Sequence, residues 1–248
     1  MATDRKVALI TGSAANIGRG IALALARDGV AVMVHARRSE QQAQETARLV
    51  TAAGSEAAVH LADISDPAQA AGLVAAALAR FGRLDILVNN ASVRRQSKLA
   101  DITPAEWRDI LGSTLDGAFY CTQAAAAPIA AAGGGSIVNM GGISHHVGAA
   151  NRVHVAAAKA GMTGMTRALA RELAPAGITV NMVAPGVIDT ERGPAAGGVA
   201  GRAALPDNLA GRRGTIEEIA EMVRYLCGPL ARFITGQTIH VNGGAFMP

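Results

Sequence analysis

At 248 residues the chain is long enough for one large domain with a sizeable core, and although half of it is hydrophobic, no apolar run is long enough to span a bilayer. A net charge of +4, a pI near 9.6, scattered arginines and 3% aromatic residues exclude the clustered basic stripe that nucleic-acid binding requires. Cys121 and Cys227 cannot build a disulfide framework or a structural zinc site, no metal is expected, and the lead Met1–Lys6 is too short for a signal peptide, so a cytoplasmic setting is expected.

Residues 7–25 begin with a short apolar strand, Val7–Ile10, then a small-residue turn and an alanine-rich helix starting near Asn16. Gly12 can adopt backbone angles closed to other residues, and Gly18 lets helix and strand approach closely. The helix N-terminus aims free N–H groups and partial positive charge into the turn, which suits a phosphate-bearing cofactor. Further apolar, β-branched runs follow at Val30–His35, Ala57–Leu61, Leu84–Val88, Ser136–Met140, Ile178–Val183 and Thr238–Val241. Helix-length segments lie between them. That alternation predicts an α/β fold: one doubly wound parallel sheet of about seven strands, helices on both faces, a single domain over 1–248. Two long helices are expected at Pro104–Ala131 and Val153–Leu173. Their many small residues and nearly all-round apolar character suit a subunit interface, so a homo-oligomer, dimer or tetramer, is expected. Residues 191–214 are rich in Gly, Pro and Ala without periodicity and are read as a lid over the open end of the sheet.

Six short segments now stand in order. Thr11-Gly12-x-x-x-Asn16-x-Gly18, with Ser13 and Ile17 inside it, is followed by Asp63-Ile64 and Asn89-Asn90-Ala91-Ser92. After these come Pro185-Gly186-Val187-Ile188-Asp189-Thr190, then Ile234-Thr235-Gly236-Gln237 and Val241-Asn242-Gly243-Gly244. Over nearly its whole length the chain resembles the short-chain dehydrogenase/reductase family. Asn16 replaces the middle glycine of the family's cofactor turn; asparagine tolerates left-handed backbone angles, so the turn is expected to survive. The resemblance implies a Rossmann-type fold and a nicotinamide cofactor. It implies adenine contacts from Asp63 and Ile64, a place for Asn90 and Ala91 beside the cofactor, and a nicotinamide held near Pro185, Gly186, Ile188 and Thr190.

The second strand runs into Ala36-Arg37-Arg38-Ser39, with no carboxylate before Glu40. An acidic side chain there would bind a ribose diol, whereas guanidiniums bind a 2′-phosphate through charge-assisted, bidentate bonds. Arg37 and Arg38 therefore predict NADP(H).

The catalytic positions depart from the family. Its members use Asn, Ser, Tyr and Lys, with Tyr four residues before Lys on one helix face. Lys159 matches the lysine, but Val155, Gly142 and Thr114 stand at the other three positions. Lys159 is expected to anchor the cofactor ribose. For the proton donor, the candidates are His154 beside the vacant tyrosine position, His145 or His146 after the fifth strand, or water or a group of the substrate. Ser144 lies near the vacant serine position. Arg94, Arg95, Asn151 and Arg152, together with His146, are expected to frame a small-molecule substrate, with arginines suited to a carboxylate or phosphate. These features predict hydride transfer between NADP(H) and a carbonyl/alcohol or imine/amine pair. The other readings are a catalytically silent cofactor-binding homologue, or non-redox lyase or isomerase chemistry on the same scaffold.

Overall fold

The computed structural model describes residues 5–190 and 207–248. Seven strands form one parallel sheet: β1 (Val7–Ile10), β2 (Ala31–Ala36), β3 (Ala57–Leu61), β4 (Ile86–Asn89), β5 (Gly135–Met140), β6 (Ile178–Pro185) and β7 (Thr238–Val241). Their order is β3-β2-β1-β4-β5-β6-β7, so the chain reverses direction across the sheet between β1 and β4. Ligands in open α/β sheets bind in the crevice at that reversal, beyond the strands' carboxyl ends. The five inner strands are buried at every residue, because helices cover both faces; the edge strands β3 and β7 are half-buried.

On one face lie α1 (Asn16–Arg27) and α8 (Ile216–Cys227), with Ile21, Leu25 and Val223 in the core; α2 (Glu40–Ala52) flanks them. A Cβ on Gly20 would come within 2.3 Å of Ile216 Cγ2, so α1 and α8 reach their close packing only because position 20 has no side chain. On the other face α3 (Pro67–Phe81) and α5 (Gly117–Ala131) bury Leu73, Cys121 and Ile129, and α7 (Val153–Leu173) continues the layer toward β6. The ends of α3 follow from sequence: Asp66 caps the N–H groups of Ala68 and Gln69, Pro67 opens the helix, and Gly82 ends it at φ +79°.

The expected helix Pro104–Ala131 is interrupted. It consists of α4 (Pro104–Leu111), a wider π turn over Gly112–Asp116, and α5. A π turn adds a residue to the helical ladder and often accompanies a functional site. Here it brings Thr114 Oγ1 to 3.2 Å from Ser92 Oγ, at the end of β4. Helix α7 spans the expected residues. Between β5 and α7 lies the short helix α6 (Ser144–Val147). Of the segment 191–214, the expected lid, residues 191–206 lie outside the described residues; Gly214 donates to the Val187 carbonyl (3.0 Å) and Asp189 to the Gly214 carbonyl (2.9 Å).

Candidate active site

The turn after β1 is held from both sides. Gly12 sits at φ +64°, and Asn16, which opens α1, sits at φ +51°, the left-handed geometry its side chain tolerates. A Cβ on Gly18 would lie 2.3 Å from the Gly12 carbonyl and 2.6 Å from Asn90 Nδ2. The Asn90 amide donates to the Thr11 and Gly12 carbonyls at 2.9 Å each, while Thr11 Oγ1 accepts from the backbone of Asn90 and Ala91 at 3.0 Å. The turn is therefore stapled to the end of β4, and the N–H groups of Thr11 and Ser13 are spent inside the fold, on the carbonyls of Val88 (3.0 Å) and His35 (2.9 Å). Ser13 takes no part in the cleft: its hydroxyl donates to the Ile10 carbonyl (2.8 Å) and accepts from His35 N (3.0 Å).

His35, at the end of β2, carries no sequence signature of the role it plays here. Gly12 N–H donates to its Nδ1 at 2.9 Å, and its Nε2 reaches the Ala62 carbonyl at 3.0 Å, so the ring is the neutral tautomer with hydrogen on Nε2. One imidazole thereby ties the ends of β1, β2 and β3 together. Burial above all holds its pKa below the ordinary histidine value.

These residues line a cleft of 420 Å³ running across the sheet's reversal point. One wall is Gly12, Asn16, Ile17 and Gly18; another is Asn90, Ala91 and Arg94; Asp63, Ile64 and Arg37 line its far end, and Thr190 enters from after β6. Exposed Arg38 is not part of this lining. Arg37 is not a free cation. Its Nη2 pairs with Asp63 (2.7 Å) and its Nη1 with Asp109 on α4 (3.0 Å). Against the pull of partial burial, Ser65 and Arg37 hold the Asp63 carboxyl below the usual carboxylate range. Pro185, Gly186 and Ile188 do not line this cleft: Gly186 passes so close to Asn242 that a Cβ would come within 2.7 Å of its Cα, in a separate small pocket, and the Pro185 carbonyl accepts from Ile143 N at 3.2 Å. Ile188 is buried there.

A cofactor with two phosphates and an adenosine fits this shape on three counts. Glycines at 12 and 18 let the turn fold tightly against the end of β4, the N-terminus of α1 lines the cleft, and the Arg37 guanidinium, paired with Asp63 and Asp109, stands at its far end.

Lys159 lies on α7 with 3% of its surface exposed, behind the lining of the cleft, its Nζ donating to the Met140 carbonyl at 2.5 Å. Burial first, and the Arg94 guanidinium second, push its pKa down to about 7. Val155, one helical turn earlier, is 6% exposed, whereas a Cβ on Gly142 would meet nothing within 4 Å.

The histidines turn out differently from expectation. His154 does not reach the cleft. The helix already begins at Val153, so the ring is carried into the seam between α7 and α4 and is fully buried. Its Nδ1 accepts from Val155 N, and its Nε2 meets Glu106 Oε1 at 2.9 Å, an atom that Ser97 also contacts at 2.5 Å. His145 contacts Thr163 Oγ1 at 3.0 Å; burial, then neighbouring His146, push its pKa down to about 4. His146 stacks on Phe246 at 4.5 Å and lies 4.8 Å from His240, enclosed by the C-terminal segment instead of facing outward. Ser144 opens α6 and is half-buried. Asn151, at φ +62°, and Arg152 lie at the entry to α7 and do not line this cleft. Cys121 and Cys227 are free but buried, which pushes both thiols up to about 12 and leaves no thiolate for chemistry. No group of His, Cys, Asp and Glu among the described residues could hold a metal ion, and none of their helices is long and apolar enough to cross a membrane.

Behind the cleft a buried polar chain fixes the layers. Asn89 donates to Thr122 on α5 (3.0 Å) and to Asn139 on β5 (2.9 Å), and Asn139 donates to Thr166 on α7 (2.9 Å).

The family profile described as enoyl-(acyl carrier protein) reductase matches residues 12–245. The 3-oxoacyl-[acyl-carrier-protein] reductase FabG of Staphylococcus aureus is 37% identical over 242 residues, covering 98% of both chains. The enzyme of the same name from Escherichia coli is 38% identical over 244 residues, again 98% of each. Among solved structures, acetoin dehydrogenase YohF from Salmonella typhimurium superimposes with a TM-score of 0.88 at 35% identity over 97% of each chain. A double mutant of a Serratia marcescens short-chain dehydrogenase/reductase gives 0.89 at 34% identity over 99% of each.

Proposed function

Because the chain belongs to the short-chain dehydrogenase/reductase family, we propose that it is an NADP(H)-dependent oxidoreductase in which Lys159 itself delivers the proton. The observation that carries the proposal is the place of Lys159, four residues after Val155 on α7 with its Nζ on the Met140 carbonyl at the end of β5, beside positions where valine and glycine stand. We align Val155 and Gly142 with the family's tyrosine and serine; neither has a proton to give. When bound, the nicotinamide supplies the hydride. Lys159 then serves as general acid toward the oxygen or nitrogen of the substrate, a role that calls for a pKa close to working pH. Near pH 7 His145 is almost fully neutral and so a poor acid, and His154 is sealed in the α4–α7 seam. An iminium substrate, which arrives protonated, fits a site without a phenol as well as a ketone does. The relatives' names suggest a 3-oxoacyl thioester among the carbonyl candidates. The alanine-rich face of α5 supports a homo-oligomeric assembly.

The absence of a phenol also favours the second reading, a protein that binds the cofactor and leaves it unreacted. Loss of reduced-cofactor absorbance with ketones, 3-oxoacyl thioesters and cyclic imines tests the first reading; binding without consumption across that panel supports the second. In the same assay His154→Ala is expected to keep turnover within about threefold, far short of the ~10²-fold loss an acid catalyst would show. Its cost should instead appear in the melting temperature, since it empties a fully buried site and removes one of the two partners of Glu106 Oε1, a loss of about 1–3 kcal/mol.

A further inference from the structure

The ion pairs at the far end of the cleft carry a consequence for cofactor choice. Arg37 lies between two carboxylates, Asp63 at 2.7 Å and Asp109 at 3.0 Å, and Asp109 in turn holds Arg95 Nη2 at 3.2 Å. The chain of charges therefore runs from β3 across the end of β2 to α4 and on to the loop after β4. We propose that Asp109 is a specificity-setting residue, the counter-ion from which a 2′-phosphate must take Arg37. This rests on the NADP(H) reading above.

The two carboxylates are not equivalent. Asp63 Oδ1 accepts from both the backbone and the hydroxyl of Ser65, at 3.1 and 2.7 Å, so its position is fixed by its own turn. Asp109 reaches Arg37 through one bond from a neighbouring helix. If Arg37 leaves, Asp109 keeps Arg95, and the exchange strands no charge. All four side chains are 26–41% exposed, and ion pairs in such settings are individually weak, so a phosphate dianion can win the guanidinium. Until it does, Asp109 both occupies Arg37 and repels the phosphate. The apparent preference for a phosphorylated ribose is therefore smaller than two adjacent arginines would give.

The test is calorimetric titration of the full chain with 2′,5′-ADP and with 5′-AMP, neither of which carries a nicotinamide. Asp109→Asn is expected to tighten 2′,5′-ADP by roughly three- to tenfold and to leave 5′-AMP within about twofold. Arg95→Gln, which leaves Asp109 to Arg37 alone, is expected to act in the opposite direction and weaken 2′,5′-ADP. Unchanged or weakened 2′,5′-ADP binding in Asp109→Asn, or no loss in Arg95→Gln, overturns the role of Asp109. A separate comparison judges the NADP(H) reading: wild-type protein that binds the two nucleotides equally defeats it. A preference that appears only in Asp109→Asn still supports the role of Asp109.

Discussion

Lys159→Met is expected to lower turnover by ~10²–10⁴-fold, the usual range for removal of a positioned acid. It should also remove a limb of the pH profile. With a pKa of about 7, the wild-type acid is protonated below that value, so the rate of reduction should fall as pH rises through it. The variant's residual rate should lack that fall. Stability should move the other way. The buried amine takes its proton only below about 7, whereas the unfolded chain takes it near the ordinary lysine value of 10.5. Between those values the unfolded state binds more protons, so this group's contribution makes the wild-type fold less stable as pH falls from 10.5 to 7. The methionine variant escapes that penalty. Its gain in melting temperature should be largest at or below pH 7 and should shrink toward alkaline pH. A variant that is inactive and also less stable near neutrality would instead point to a purely structural lysine.

Introducing the family's pair, Gly142→Ser with Val155→Tyr, is expected to raise turnover on simple ketones by ~10²-fold or more. A serine fits because a Cβ at position 142 meets nothing within 4 Å. A tyrosine at 155 would lie on the same face of α7 as Lys159, four residues on, where the ammonium would lower the phenol's pKa. The pH dependence should then shift to that of the phenol. If the double variant folds, binds NADPH and gains nothing, the substrate side of the cleft has diverged beyond these two positions.

Features set by local residue patterns are legible in the sequence, and those set by contacts distant in the chain are not. The strands were legible because burial on both faces leaves continuous apolar runs, and Asn16 could be assigned a left-handed geometry from its residue type alone. The π turn at Gly112–Asp116 has no sequence period of its own to announce it, so α4 and α5 read as one helix. His35 and Asp109 escaped notice because their partners are distant in the chain: Gly12 lies 23 residues from His35, and Arg37 lies 72 from Asp109. Arg37 and Arg38 read as equivalent, yet the first is clamped inside the cleft and the second lies outside its lining. His154 depended on a helix boundary. Had α7 begun at Val155, its ring could have turned toward the cleft; a start at Val153 sends it against Glu106.

Titration of the intact chain with NADPH and NADH is the most direct measure of the whole account. One NADPH per chain, bound more tightly than NADH and more weakly after Arg37→Ala, is the expected result. No heat of association with either nucleotide would contradict it.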